Sequence, residues 1–402
     1  MIDAELAALI GGDNKALGLG VIVFKDGREV YSYFGGRRHL APDKPMTRGT
    51  LLRAASLSKM FTVFAIMQLI ERGKLTLGDD VSNHLGFELR NPNFPDVPIT
   101  LEMLADHTSS LRDGLIYSLP PHYKLEEFFT AEGKHFTTTE PGKYFHYCNL
   151  NYGILGTVIE RVSGERFDFY QQEHILKPLG INGGYVVSNF DAETFAQLGT
   201  LYQPDGYGGW VATIDDYEVQ PPKNFIRVQN PYAPNAYGSF DVSNYAIGTN
   251  ATIFSPAGGL RLSLEDLSKA LRLLINRGKP LISQESFDAM INPYWTFDGT
   301  NGYTFGGVME NYGLGTYQIG GTSKARLCED YAIDLIGHSG EAFGMISGLY
   351  FVPHTQNGVT FMINGASLAA GRFSACYLLE EVIMNPVCKY IFGSDCDEIA
   401  AM

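Results

Sequence analysis

The sequence predicts an α+β fold: an antiparallel sheet built from both chain ends, flanked by helices, with a mostly helical lobe inserted. Three observations carry this. Residues 19–24 and 29–34 are β-rich runs joined by Lys25-Asp26-Gly27, a hairpin turn signal. A second β-rich group, 344–352 and 358–363, lies near the other end. Helical patterns dominate between them. Strands at both ends enclosing helices suit one sheet that both termini complete. The expected division is a single catalytic domain over 1–402. Its α/β lobe is drawn from 1–75 and about 285–402, and its helical lobe from about 76–284.

Residues 56–70 are apolar nearly all round, so they read as a buried central helix. Residues 154, 155, 158, 159 and 162 form one helical stripe that Ser163-Gly164 ends. The segment 202–254 is rich in Tyr, Pro, Asn and Gly without clear periodicity, and is expected to be a surface loop serving as a site wall. Tyr207, Trp210, Tyr232 and Tyr237 would line a groove or simply pack the loop. Residues 378–384 read as part of a closing helix.

The 402 residues are 45% hydrophobic and 18% charged, an ordinary globular profile. Net charge is −14, and no Lys/Arg cluster suits a phosphate backbone. Nucleic acid and anionic membrane surfaces are therefore not expected as partners, and no apolar run is long enough to span a membrane. The N-terminus lacks a signal-peptide pattern, so the chain as given is expected in the cytoplasm; a removed signal peptide would make it periplasmic or secreted. Five cysteines without a C-x-x-C pair are expected to be small buried hydrophobes rather than a zinc site or disulfide framework. No metal and no cofactor are expected, since H-E-x-x-H and G-x-x-x-x-G-K-[ST] are absent. An α/β-hydrolase elbow is also absent: Gly337-His338-Ser339-Gly340-Glu341 misses G-x-S-x-G at its last position.

Three short motifs carry chemistry. Ser56-Leu57-Ser58-Lys59 opens the buried helix, and residues three apart share a helix face. A buried lysine is expensive unless it is paired or neutral, and a neutral lysine can take a serine proton. S-x-x-K would occur about once by chance in this composition, so its placement gives it weight. The bland reading is a cap at Ser56 and a snorkelling Lys59. Next, Tyr147-Cys148-Asn149 precedes the second helix; a tyrosine can relay a proton and an asparagine can hold an amide and a lysine together. Asn149 would equally suit an N-cap. Last, His338-Ser339-Gly340-Glu341 precedes the strand from 344. Its small residues would let backbone N–H groups approach a ligand.

S-x-x-K, Y-x-N and H-x-G in this order resemble the class C β-lactamase and penicillin-binding-protein superfamily, which has a β-lactamase/transpeptidase-like fold. The surrounding wording fits: Arg53-Ala54-Ala55-Ser56, Ile99-Thr100-Leu101, His107-Thr108-Ser109 and Ser255-Pro256-Ala257-Gly258-Gly259-Leu260. The resemblance covers about 18–385. It implies that Ser56 attacks a carbonyl and forms an acyl-enzyme, while Lys59 and Tyr147 share the proton work. Asn149, His338, Ser339, Gly340 and Glu341 would bind substrate, with the N–H groups of Ser56 and Glu341 as oxyanion hole. Two departures stand out. His338 replaces the lysine usual in β-lactamases, which brings the chain nearer the D-aminopeptidase branch. Ser110 stands where relatives commonly carry glycine, and His107 is expected to be structural.

The expected function is a serine acyl hydrolase acting on a small amide, peptide or ester, D-aminopeptidase- or carboxypeptidase-like. An esterase, a transacylase or a β-lactamase on the same fold is the alternative, and an idle peptidoglycan-binding or scaffold protein a further one. The partner is a small-molecule or peptide substrate; oligomeric state is left open.

Overall fold

A computed structural model describes residues 2–11, 15–114, 116–130, 134–230, 233–320, 326–328, 331–371, 377–393 and 397–398. Its main sheet is antiparallel and takes strands from both chain ends. Gly18–Lys25 lies between Arg28–His39 and the late strand Gly358–Asn364, with Val21 opposite Phe361 and Val23 opposite Val359. The sheet continues through Met345–Phe351, Leu335–Ala342 and Tyr317–Ile319.

Alternation along the strands divides the apolar side chains between two cores. Ile22 and Phe24 face a core shared with Phe61 and Phe64 of the helix Ser58–Glu71. Val21 and Val23 face the other, shared with Ile383 and Met384 of the closing helix Leu378–Val387. This double burial explains the continuous apolar run at 21–24. The helix Leu264–Ile275 starts at Ser263, whose hydroxyl accepts from the Asp266 N–H.

Three expectations need correction. The segment 202–254 is not simply loop. Leu201–Pro204 pairs with Trp210–Ile214, and Phe225–Asn230 pairs with Ala233–Asp241. Two-stranded ribbons need bury neither face fully, so side-chain alternation fades; Val211 is half-exposed, for example. Second, the His338 motif does not precede a strand but lies within one, Leu335–Ala342. That strand turns back through Phe343 and Gly344, both at positive φ, as a tight two-residue hairpin demands. Third, Cys328 and Cys388 form a disulfide across 60 residues, bringing together two buried positions of the second core. Spacing alone cannot reveal a single long-range bridge. Cys148 is a free, buried thiol as expected; Cys376 and Cys396 lie outside the described residues.

Among the described residues, no helix is long and apolar enough to cross a membrane.

Candidate active site

The head of the Ser58–Glu71 helix is fixed from several sides. Ala55 to Leu57 form a tight turn, and Ala55 has φ +48°, a left-handed conformation unusual for a residue with a Cβ. The surroundings hold that turn. Ser58 donates to the Ala55 carbonyl at 2.7 Å and accepts from the Leu260 N–H at 3.1 Å. Ser347 donates to the Ala54 carbonyl at 2.8 Å. Ser56 itself is only partly buried and lines a cavity of about 260 Å³.

Lys59 is wholly buried one turn on. Its Nζ lies 3.0 Å from Ser56 Oγ, 2.8 Å from Asn149 Oδ1 and 3.2 Å from the Ala257 carbonyl. Burial pushes its pKa down to about 7, against the opposing pull of Asp113. A neutral amine has two N–H donors and one lone pair. Two of its three neighbours are carbonyl oxygens, which only accept, so both N–H groups are taken. The lone pair is left for the Ser56 hydroxyl, the one partner that can donate. The snorkelling alternative is excluded, because Nζ reaches no solvent.

Asn149 is the first residue of the helix Asn149–Ser163 rather than its cap; Cys148 holds the cap position and makes no side-chain cap bond. The capping acceptor comes from elsewhere. Asp113 accepts from the Leu150 N–H and from Asn149 Nδ2, both at 2.8 Å. That bond turns Oδ1 of Asn149 toward Lys59. The sequence reading missed Asp113, and no spacing rule could have found it.

Tyr147 lines the same cavity, its ring centroid 4.6 Å from Lys59 Nζ. His107 backs it, with ring centroids 4.3 Å apart. The His107 carbonyl accepts from the His146 N–H, and its Nδ1 accepts from the Cys148 N–H at 3.1 Å. His107 thus holds both flanks of Tyr147, a supporting part. Ser110 has φ +64°, a left-handed conformation that favours glycine.

The strand Leu335–Ala342 forms the opposite wall. A Cβ on Gly340 would lie 2.7 Å from the Ala54 carbonyl and 2.8 Å from the Ser56 nitrogen, so only glycine lets the strand approach this closely. His338 is buried and uncharged. Burial, followed by the nearby Lys59, pushes its pKa down to about 3. Its Nδ1–H donates to the Ser339 carbonyl, and Nε2 accepts from the Tyr312 hydroxyl at 3.0 Å. Ser339 accepts from the Tyr317 hydroxyl at 2.9 Å. Ser339 and Glu341 line the cavity, with Glu341 exposed at its mouth.

Ser56, Tyr147, Asn149, His338, Ser339 and Glu341 therefore meet at one cavity, with Lys59 beneath and Gly340 against Ser56. The expected wall did not form as read. Among the described residues nothing from 202–254 lines the cavity, and Tyr207 is 95% exposed. Aromatic walls come instead from Tyr117, Phe305, Phe343 and Tyr377. Trp210 packs beside Gly365, outside the cavity. Tyr232 and the Tyr237 side chain lie outside the described residues. A larger groove of about 1000 Å³ lies elsewhere and holds none of the motif residues. Among the described residues no group of three or more metal-ligating side chains is assembled.

Comparison with known proteins agrees with this geometry. Residues 5–382 match the Beta-lactamase family. The chain belongs to that family. PbpX of Bacillus subtilis (strain 168), named as a penicillin-binding protein, is 26% identical over 292 residues, 72% of this chain and 58% of PbpX. Protein flp of Staphylococcus aureus (strain MW2) is 28% identical over 165 residues, 40% of this chain and 33% of flp. The chain thus spans little more than half, or a third, of these relatives. Among solved structures, the octameric penicillin-binding protein homologue from Pyrococcus abyssi superposes with TM-score 0.68 at 26% identity, covering 96% of this chain and 76% of that one. D-amino acid amidase from Ochrobactrum anthropi SV3, complexed with D-phenylalanine, gives TM-score 0.68 at 20% identity over 98% of both chains, a likeness of fold.

Proposed function

We propose that this protein is a serine acyl hydrolase that cleaves a small amide, peptide or ester through a covalent acyl-Ser56 intermediate. The observation that carries this reading is the environment of Lys59: it is wholly buried, its pKa is pushed down to about 7, and its Nζ lies 3.0 Å from Ser56 Oγ between the carbonyl oxygens of Asn149 and Ala257, so the neutral amine can take the Ser56 proton. Lys59 takes the Ser56 proton as Oγ bonds to the substrate carbonyl carbon. The backbone N–H groups of Ser56 and Glu341 receive the carbonyl oxygen as it becomes negative. The C–N or C–O bond then breaks as Tyr147 gives its proton to the leaving group and takes the one held by Lys59 in its place. Water attacks the acyl-enzyme by the reverse route and frees Ser56.

A cavity of about 260 Å³ with aromatic walls supports a small acyl group. The neutral His338 leaves no cation where β-lactamases place one, which favours an amide, peptide or ester over a β-lactam. The amidase neighbour supports the same direction.

The test is covalent labelling. The protein is incubated with a fluorophosphonate and, separately, with a penicillin; intact mass and peptide mapping then locate any adduct. The fluorophosphonate is expected on Ser56 and to be lost in Ser56→Ala. No adduct on Ser56 from either reagent would sink the reading. A panel of p-nitrophenyl esters, D-amino-acid amides and nitrocefin then ranks substrates, with nitrocefin expected to be slow.

A further inference from the structure

Tyr312 is buried on the short strand Asn311–Tyr312, two strands away from the third motif. It lies opposite Tyr317, and Tyr317 lies opposite Gly337. Its ring meets both halves of the site. The ring centroid is 5.0 Å from that of His107 and 6.5 Å from that of Tyr147 on one side, and 6.0 Å from that of His338 on the other. Its hydroxyl lies 3.0 Å from His338 Nε2.

That contact decides what His338 can offer a substrate. The Ser339 carbonyl only accepts, so the Nδ1 beside it carries the ring hydrogen. In a neutral ring Nε2 then holds a lone pair, and the Tyr312 hydroxyl donates to it. Both nitrogens are thereby used within the protein. A second ring proton is opposed by burial and by Lys59. The rings of Tyr147, Tyr312 and Tyr317 pack around the imidazole. His338 still lines the cavity, and ring carbon is what it has left for a ligand. Its centroid is 6.1 Å from that of Tyr147, the group that protonates the leaving group, so the leaving group is the part of the substrate that meets it.

We infer that Tyr312 is a specificity-determining positioning residue: its hydroxyl fixes His338 as a wall without a free nitrogen, so that the leaving group lying against His338 is uncharged and makes no hydrogen bond to it. His338, expected from the sequence to bind substrate, then does so by contact area alone. The leaving-group class rests on Ser56 being the nucleophile; the state of the imidazole does not.

A spectroscopic and a kinetic measurement test this. Long-range proton–nitrogen correlation spectra of histidine-labelled protein, with His338→Phe to assign the signal, read the imidazole directly. In wild type Nδ1 is expected protonated and Nε2 unprotonated, with neither moving between about pH 5.5 and pH 8. In Tyr312→Phe the Nε2 signal shifts downfield as its donor is lost. Hydrolysis of phenyl acetate and of meta-carboxyphenyl acetate compares a neutral with a carboxylate-bearing leaving group in one protein, so any loss of folded enzyme cancels. The ratio of kcat/KM is expected to favour phenyl acetate about tenfold or more in wild type. It falls at least about threefold in Tyr312→Phe, where the freed Nε2 can take a hydrogen bond or a proton. It returns to within about twofold of wild type when His338→Phe is added, because the hydroxyl acts through that ring. An Nε2–H tautomer, titration of the ring in that window, a wild-type ratio near one, a Tyr312→Phe effect that persists in the His338→Phe background, or no effect of Tyr312→Phe on either readout each overturns the inference. If Tyr312→Phe does not fold, the wild-type spectrum and the His338→Phe ratio, expected within about twofold of wild type, decide. Expected spectra with no fluorophosphonate adduct on Ser56 and no ester turnover overturn the hydrolase reading, and the leaving-group class with it, while the fixed imidazole stands. A labelled Ser56 with a titrating His338 overturns the inference alone.

Discussion

Replacing Lys59 with methionine is expected to change how stability depends on pH, by an amount the structure sets. Unfolded, Lys59 holds its proton up to its ordinary pKa of 10.5; folded, it holds it only up to about 7. Between those values the unfolded state binds more protons, so wild-type stability rises with pH there. Each pKa unit is worth about 1.4 kcal/mol, giving about 5 kcal/mol across the whole window. Between about pH 7 and pH 9.5 the gain is about 3 kcal/mol. Lys59→Met lacks this term. The variant also strands the Asn149 and Ala257 oxygens, but that cost does not vary with pH in this range. Urea unfolding followed by fluorescence at several pH values therefore reads the difference between the two proteins. The gap is expected to move by about 3 kcal/mol in favour of wild type as pH rises. In parallel, wild-type kcat/KM is expected to climb through about pH 7 as Lys59 loses its proton. A stability gap constant to within about 0.5 kcal/mol would refute the reasoning: Lys59 would then be an ordinary charged lysine and no base at neutral pH.

Gly340→Ala places a Cβ 2.7 Å from the Ala54 carbonyl and 2.8 Å from the Ser56 nitrogen, both backbone atoms. The strand must shift, and kcat/KM toward a p-nitrophenyl ester is expected to fall about 100-fold; a loss under about threefold contradicts the close approach. Asp113→Ala frees Asn149 and uncaps its helix, so kcat is expected to drop about tenfold and stability by about 1–3 kcal/mol. Unchanged kinetics would mean Asn149 holds its place without Asp113. Asp215→Asn removes the counter-charge of Arg261 and is expected to cost about 3–5 kcal/mol in urea unfolding. A cost under about 1 kcal/mol would mean that solvent reaches the pair.

Much of the fold and of the site is legible in the sequence, for local reasons. The β-rich runs and the Lys25-Asp26-Gly27 turn give the hairpin now seen as Gly18–Lys25 and Arg28–His39. An all-round apolar run gives the buried helix, and that burial alone implies the depressed lysine pKa. The hairpins between 201 and 241 are illegible because their faces are not cleanly sorted by solvent. Asp113 is illegible because its partners lie 36 and 37 residues away. The Cys328–Cys388 bridge joins positions that share no local pattern.

The sequence by itself determined the α+β architecture, the buried Ser56–Lys59 turn and the order of the three motifs, since each depends on periodicity or short spacing. Only the tertiary structure decided the electrostatics. Which carbonyls occupy Lys59, which tautomer His338 adopts and which hydroxyl holds it there are properties of groups brought together from distant segments. Burial makes each of those contacts count, because inside the protein a polar group without a partner has no water to turn to.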